Sequence, residues 1–346
     1  MRHTWYLFSL CLLLTACRSQ EPRQITKGFY YWKQRYTADS TEQHTLSALH
    51  VQRLYLRAFD VRMDPATQQP VPVAPVDIRS KIPDSTRIVP VVFLMNDIWR
   101  NTDSIAVTQL AHRVSQLLLD RYSSIPAHHI PEIQIDCDWT RQQKEIYFAF
   151  LRAFRQTNAC QGRQLSATIR MHQVKYLSAN GIPPVDKGLL MCYNMGDLRK
   201  WGDHNSILNM KELKAYIAPD HIQEYPLPLD LALPLFEWSV LFSKFAYTGI
   251  LRSMGDKELA DSKLFTPTGA YTFTCRKDTI LNGYPLREGD VIRRETTGPA
   301  LLKQAAQLIA RQRQQYEPTI IFYHLDSLTL SKYTIDELED IYHLFR

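Results

Sequence analysis

The sequence predicts an α/β chain folded as a (β/α)8 TIM barrel, with a β-hairpin insertion after the seventh strand. Three observations point there. Strand-like segments alternate with helical patterns across residues 27–346, the order that builds parallel βαβ units. The segment Arg87 to Met95 is almost wholly apolar, as a strand buried on both faces must be. Most strands end in a polar or aromatic side chain, and barrels of this kind carry their sites on the strand ends. An open doubly wound sheet is the alternative. Against it, Gly28 stands alone before Phe29, so no glycine-rich phosphate loop follows the first strand.

The first strand runs through Gly28-Phe29-Tyr30-Tyr31-Trp32, and Thr41 to Leu49 is a short helix. Val51 to Val61 is the second strand, and the proline-rich stretch to Asp84 is a loop. Arg87 to Met95 is the third, ending in Asn96-Asp97-Ile98-Trp99. Ser104 to Tyr122 then sets Ile105, Leu110, Val114, Leu117 and Leu118 at helical spacing. Ile133 to Asp138 is the fourth strand, with Asp136 and Asp138 on one face and Ile133, Ile135 and Cys137 on the other. Arg141 to Gln156 is an amphipathic helix. Leu165 to Val174 is the fifth strand, Gly188 to Gly196 the sixth and Leu229 to Trp238 the seventh. Ser206 is placed to cap a helix over 207–217. The pattern changes over about 244–298, where Asn282-Gly283 marks the turn of the inserted hairpin. Pro299 to Tyr316 is a helix and Thr319 to Leu325 the eighth strand. Thr334 and Glu337 form a capping box for the last helix.

The N-terminus carries the most specific local signal. Arg2 and His3 precede an apolar run from Trp5 to Leu14, which is the pattern of a secretory leader. Leu14-Thr15-Ala16-Cys17 resembles a bacterial lipobox. That resemblance implies removal of residues 1–16, lipidation of Cys17, and a tether over 17–26. It places the chain in the bacterial cell envelope, anchored to a membrane through Cys17, with the periplasmic side of the outer membrane as the expected location. Four cysteines then remain, with no zinc-site spacing. Cys137 and Cys192 sit in strand patterns as buried thiols, and a Cys160–Cys275 bridge is left open.

Hydrophobic content of 45% and charged content of 22% are ordinary for a globular domain and exclude pervasive disorder. The net charge of +6 is spread along the chain, so no nucleic-acid partner is expected. Tyr and Trp are plentiful, and aromatics serve both cores and sugar-binding clefts.

Reading the strand ends gives the candidate site: Tyr31 and Trp32, Asp60, Asp97 with Trp99, Asp136 and Asp138, Arg170 with His172, Tyr193 with Asn194, Glu237 with Trp238, and His324. Asp136, Asp138, His172 and His324 share no local ligand spacing, so neither a metal nor another cofactor is expected. No Gly-x-Ser-x-Gly elbow is present.

Asp136-Cys137-Asp138-Trp139-Thr140 resembles the fourth-strand Asp-x-Asp-x-Glu motif of family 18 glycoside hydrolases, the chitinase-like barrels. Met191-Cys192-Tyr193-Asn194 resembles the sixth-strand motif of the same family. Ile133 to Arg141 with Leu165-Ser166-Ala167-Thr168 also resembles an uncharacterised group of bacterial barrel proteins. The family resemblance implies a glycan ligand, with Asp138 and Tyr193 stabilising a sugar's acetamido group. It also exposes a departure. The family's acid position is Thr140, whose hydroxyl does not titrate near neutral pH. Glu237 and Asp60 are the substitute acids the sequence offers. Three readings follow: a glycosidase with a nonstandard acid, a barrel that binds sugar or protein without catalysis, and a structural envelope lipoprotein.

Overall fold

A computed structural model describes residues 23–346 apart from Asn101. The expected leader, Cys17 and most of the tether lie outside the described residues. Among the described residues no helix is long and apolar enough to cross a membrane.

The barrel strands are β1 (Thr26–Tyr31), β2 (Arg53–Met63), β3 (Arg87–Leu94), β4 (Glu132–Asp136), β5 (Gln164–Arg170), β6 (Lys187–Met191), β7 (Leu229–Pro234) and β8 (Thr319–Tyr323). Each pairs in parallel with its sequence neighbours, and β1 pairs with both β2 and β8, which closes the ring. Helices α1 (Ser40–Ala48), α2 (Ser104–Arg121), α3 (Lys144–Arg155), α4 (Met171–Lys175), α5 (Met210–Ile217), α6 (Pro299–Ala310) and α7 (Ile335–His343) lie in the connections. Outward residues of the strands meet the helices in one apolar core; Ile133, Ile135, Leu165, Ala167 and Ile169 are buried there.

The inward phase is unusually polar. Glu132, Gln134 and Asp136 alternate on β4, and Ser166, Thr168 and Arg170 alternate on β5. Branched apolar side chains usually fill these layers. Here a hydrogen-bonded stack replaces part of them. At the floor, Lys187 Nζ lies 2.8 Å from Glu132 and 2.5 Å from Asp230. Arg53 reaches Glu132 at 3.0 Å and Ser166 Oγ donates to it at 2.6 Å. Burial by itself would lower the Lys187 ammonium's pKa; Asp230, Tyr55 and Glu132 outweigh it and hold the value well above the ordinary one.

Several strands end earlier than the sequence pattern suggests. β5 stops at Arg170 because α4 starts at Met171. β7 stops at Pro234, and Trp238 begins the insertion instead. The predicted cap at Ser206 is absent. Asn209 caps α5 through Lys211 and Glu212 backbone N–H groups at 2.9 and 3.2 Å, while Ser206 donates to Glu295 at 2.6 Å. The capping box of Thr334 and Glu337 forms as expected, at 3.1 and 2.8 Å.

The insertion is larger than a hairpin. Strands 246–251, 238–243, 291–295, 272–275 and 265–267 form an antiparallel sheet in that spatial order. A separate hairpin pairs 279–281 with 284–286, and its turn places Asn282 and Gly283 at φ of 50° and 83°. Those positive values are why the turn needs Asn-Gly. Leu241, Leu251, Phe265, Cys275, Leu286 and Ile292 give the sheet a core of its own. Buried Arg293 fastens it to the loop after β6, donating to the carbonyls of Leu198, Lys200 and Gly202. The cysteines at 137, 160, 192 and 275 are all buried, unpaired thiols, so Cys160 and Cys275 are not bridged.

Candidate functional site at the barrel mouth

A cavity of about 820 Å³ opens at the C-terminal ends of the strands. Asp136, Asp138 and Arg170 form one side of it. Trp32, Phe93, Tyr193, Phe236, Trp238 and Tyr323 supply an aromatic surface. The inserted sheet closes the remaining side with Ile250 to Gly255 and Arg294.

The carboxylates differ in environment although they are two residues apart. Asp136 is buried and accepts from Thr168 Oγ1 at 2.6 Å. Burial, and then the charge of Asp138, push its pKa up to about 7. Asp138 sits at the opening and is gripped by Arg170 through two bonds, Nε to Oδ1 at 2.5 Å and a terminal nitrogen to Oδ2 at 2.6 Å. That is the planar bidentate geometry in which an Arg–carboxylate pair is strongest. Burial would lower the Arg170 value, but Asp138 more than offsets it and the guanidinium stays charged. Asn96 pins the Asp138 carbonyl at 2.6 Å, which fixes the loop that carries the pair.

Thr140 does not line the cavity. It is exposed, and its hydroxyl donates to Gln143 Oε1 at 3.0 Å, ahead of α3. Glu237 does line it, yet its carboxylate is engaged by both Arg294 and Lys332. It acts there as the partner of two cations. Tyr193 stands edge-on to Phe236, and burial leads the causes that raise its phenol well above the ordinary value. His324 lines the cavity with a buried Nδ1 that has no partner, and burial lowers its pKa. The Trp238 indole N–H is likewise unpartnered and buried. Exposed Asn194 lines the mouth in a left-handed conformation, φ 53°. Lys33 bridges Asp326 and Glu42, each at 2.8 Å, on the rim.

Five of the expected site residues lie elsewhere. Tyr31 faces outward, where its hydroxyl donates to the Arg35 carbonyl at 2.8 Å and its ring stands edge-on to Tyr36. Asp60 is buried against Arg57 at 2.6 Å, and Arg57 in turn covers the Trp32 ring. It therefore supports the wall without lining the cavity. Asp97 faces a separate cleft with Arg100 and Arg113. Trp99 packs into the core on Tyr147 and Phe150. His172 is exposed on α4, beyond the true end of β5. Tyr30, Phe93, Phe236, Tyr323 and Arg294 escaped the sequence reading. Alternation would have found Tyr30: Tyr30 and Trp32 share a face, so Tyr31 and Trp32 cannot both point inward. Nothing local marks Arg294, which arrives from the insertion.

Among the described residues no cluster of three His, Cys, Asp or Glu side chains could hold a metal.

No protein-family model matches the chain, and no curated protein sequence matches it. Solved structures do. The C-terminal domain of a putative chitinase from Desulfitobacterium hafniense superposes with a TM-score of 0.54 at 12% identity, covering 93% of this chain and 100% of that one. The spore cortex-lytic enzyme SleL of Bacillus cereus gives 0.53 at 13% identity, covering 94% and 75%. A chitinase from Chromobacterium violaceum gives 0.51 at 10% identity, covering 94% and 100%. The chain shares the chitinase-like TIM-barrel fold.

Proposed function

We propose that this chain is a lipid-anchored envelope protein whose barrel mouth binds a glycan and does not cleave it by the acid route of chitinase-like enzymes. One observation carries the reading. The acid position is Thr140, and its side chain is turned out of the cavity onto Gln143. The neighbouring groups support it. Asp138 is committed to Arg170, so it is not offered to a sugar's acetamido nitrogen. Glu237 is committed to two cations. What remains is a cleft with aromatic faces and polar edges, the combination that receives a pyranose ring. The fold shared with chitinases supports a glycan as the ligand class.

The test pairs a glycan array with a hydrolysis panel of oligosaccharides, both on the full chain. Retention of a glycan without turnover fits the proposal. Turnover that Asp138→Asn abolishes would restore the glycosidase reading, and retention of no glycan would remove the ligand class. Anchoring is tested separately: Cys17→Ala should move the protein from the membrane fraction to the soluble one.

A further inference from the structure

The inserted sheet closes its side of the mouth with a turn over 252–255, and side chains pin the backbone of every residue in that turn. The Arg252 N–H donates to the Tyr284 hydroxyl at 3.0 Å, and Asn282 Nδ2 donates to the Ser253 carbonyl at 2.6 Å. Ser239 Oγ donates to the Met254 carbonyl at 2.7 Å, and the Gly255 N–H donates to Glu258 Oε2 at 2.8 Å. Asn282 and Tyr284 both come from the separate hairpin, which thereby braces the turn from behind. Leu251 and Met254 are buried in the core of the sheet. Arg252 and Ser253 are left exposed, and both line the mouth cavity. The other charged side chains of the cavity are occupied. Arg170 holds Asp138, Arg294 holds Glu237 and Asp256, and Lys33 holds Asp326. Asp136 accepts from Thr168 Oγ1. Among the described residues, the Arg252 guanidinium has no ion pair, hydrogen bond or ring partner, and the Ser253 hydroxyl has no hydrogen bond. An exposed arginine on a mobile surface loop needs no explanation. Arg252 is different in standing on a braced turn and facing a cavity.

We infer that the mouth takes an acidic glycan, one carrying a carboxylate or a sulfate, and that Arg252 with Ser253 reads the acid group. The inference rests on the glycan reading above and narrows it. The guanidinium offers parallel N–H donors to an acid with two oxygens, and the serine hydroxyl adds another donor beside them. The braced backbone needs no ordering when the ligand arrives, so less of the interaction is offset by lost freedom. The four acids that line the cavity are each bonded to a cation or, for Asp136, to a hydroxyl, which moderates their repulsion of an incoming anion. The aromatic faces serve a sugar ring whatever its charge. Discrimination between an acidic sugar and its neutral counterpart therefore falls to the turn.

The test applies the full chain to an array on which each acidic oligosaccharide stands beside its neutral counterpart: uronic and sialic acid structures beside their methyl esters, sulfated structures beside their desulfated forms. At least one acidic member should be retained about tenfold better than its counterpart, the span that one hydrogen bond to a charged group supplies. The set that shows the preference identifies the acid. Arg252→Gln should bring the two members of that pair to equal retention. Its side chain is exposed, so the fold survives the change. Equal retention of acidic and neutral members by the native chain overturns the inference and leaves the glycan reading standing. A preference that persists in Arg252→Gln overturns it too, because another cation would then read the acid. Retention of no member, acidic or neutral, removes the glycan reading itself and this inference with it.

Discussion

At the floor of the barrel, Lys187 sits between Glu132 and Asp230, and all three side chains are sealed from water. At the mouth, Arg170 grips Asp138 with equally short bonds, but the Asp138 side chain is 41% exposed. Both are contacts between a base and an acid, and their solvation differs. A buried ion pair is held in place because either partner alone would be an uncompensated charge in a medium that cannot solvate it. An exposed pair can be opened at little cost, since water takes over. The floor therefore belongs to the architecture. The mouth keeps its pair part-exposed at the edge of the cavity. Between them lies Asp136, buried like the floor and facing the cavity like the mouth.

The sharpest way to break this comparison is at the floor. Lys187→Met leaves two buried carboxylates facing each other, and should destabilise the fold by about 3–5 kcal/mol in denaturant titration. A loss below about 1 kcal/mol would show that the floor is wetter than its burial indicates. The next effect is the pH dependence of Asp136. Its carboxyl is raised from 3.8 to about 7 in the folded chain, so the native state holds a proton that the unfolded state has released. The associated stability is fully present below about pH 4 and is lost as pH rises through about 7. Between pH 5 and 8 the decline is about 2.5 kcal/mol. Asp136→Asn should flatten that slope, and identical slopes in both proteins would refute the assignment. A smaller effect is expected on the aromatic wall. Trp32→Ala should weaken binding of an array-selected glycan about tenfold, roughly 1.4 kcal/mol, while leaving the floor's contribution intact. Equal affinity would take Trp32 out of the binding surface. The smallest effect is at Thr140. Thr140→Glu should change stability by less than about 0.5 kcal/mol and confer no hydrolysis, because the side chain points away from the cavity. Hydrolysis by this variant would mean that the loop turns inward when a substrate binds.

Much of the fold was legible in the chain because barrel strands obey local rules. The alternation of Ile133, Ile135 and Cys137 against Asp136 and Asp138 is the pattern β4 shows, with the acids inward. The capping box at Thr334 needed only four residues to be read. Strand ends were less legible. An apolar run continues past the last ladder bond, so the sequence pattern extends β7 to Trp238 although the strand stops at Pro234. That error hid the sheet of the insertion, whose strands are short and pair with residues far along the chain. It also misdirected the reading of Glu237, because its partners Arg294 and Lys332 come from distant segments. Trp99 and His172 share that illegibility: each follows a strand end in sequence and leaves the site by a local turn of the chain.

By itself, the sequence determined the strand–helix order, the inward phase of β4, and the threonine where a chitinase-like motif has its acid. These are one-dimensional facts, set by side-chain period and by residue identity. Tertiary structure alone decided what each charged group does. Asp138 meets Arg170 across two strands, Glu132 meets Lys187 across three, and the two pairs differ in their access to water. Solvation is a property of the closed barrel, because it depends on every side chain that surrounds a charge and on none that merely adjoins it in sequence.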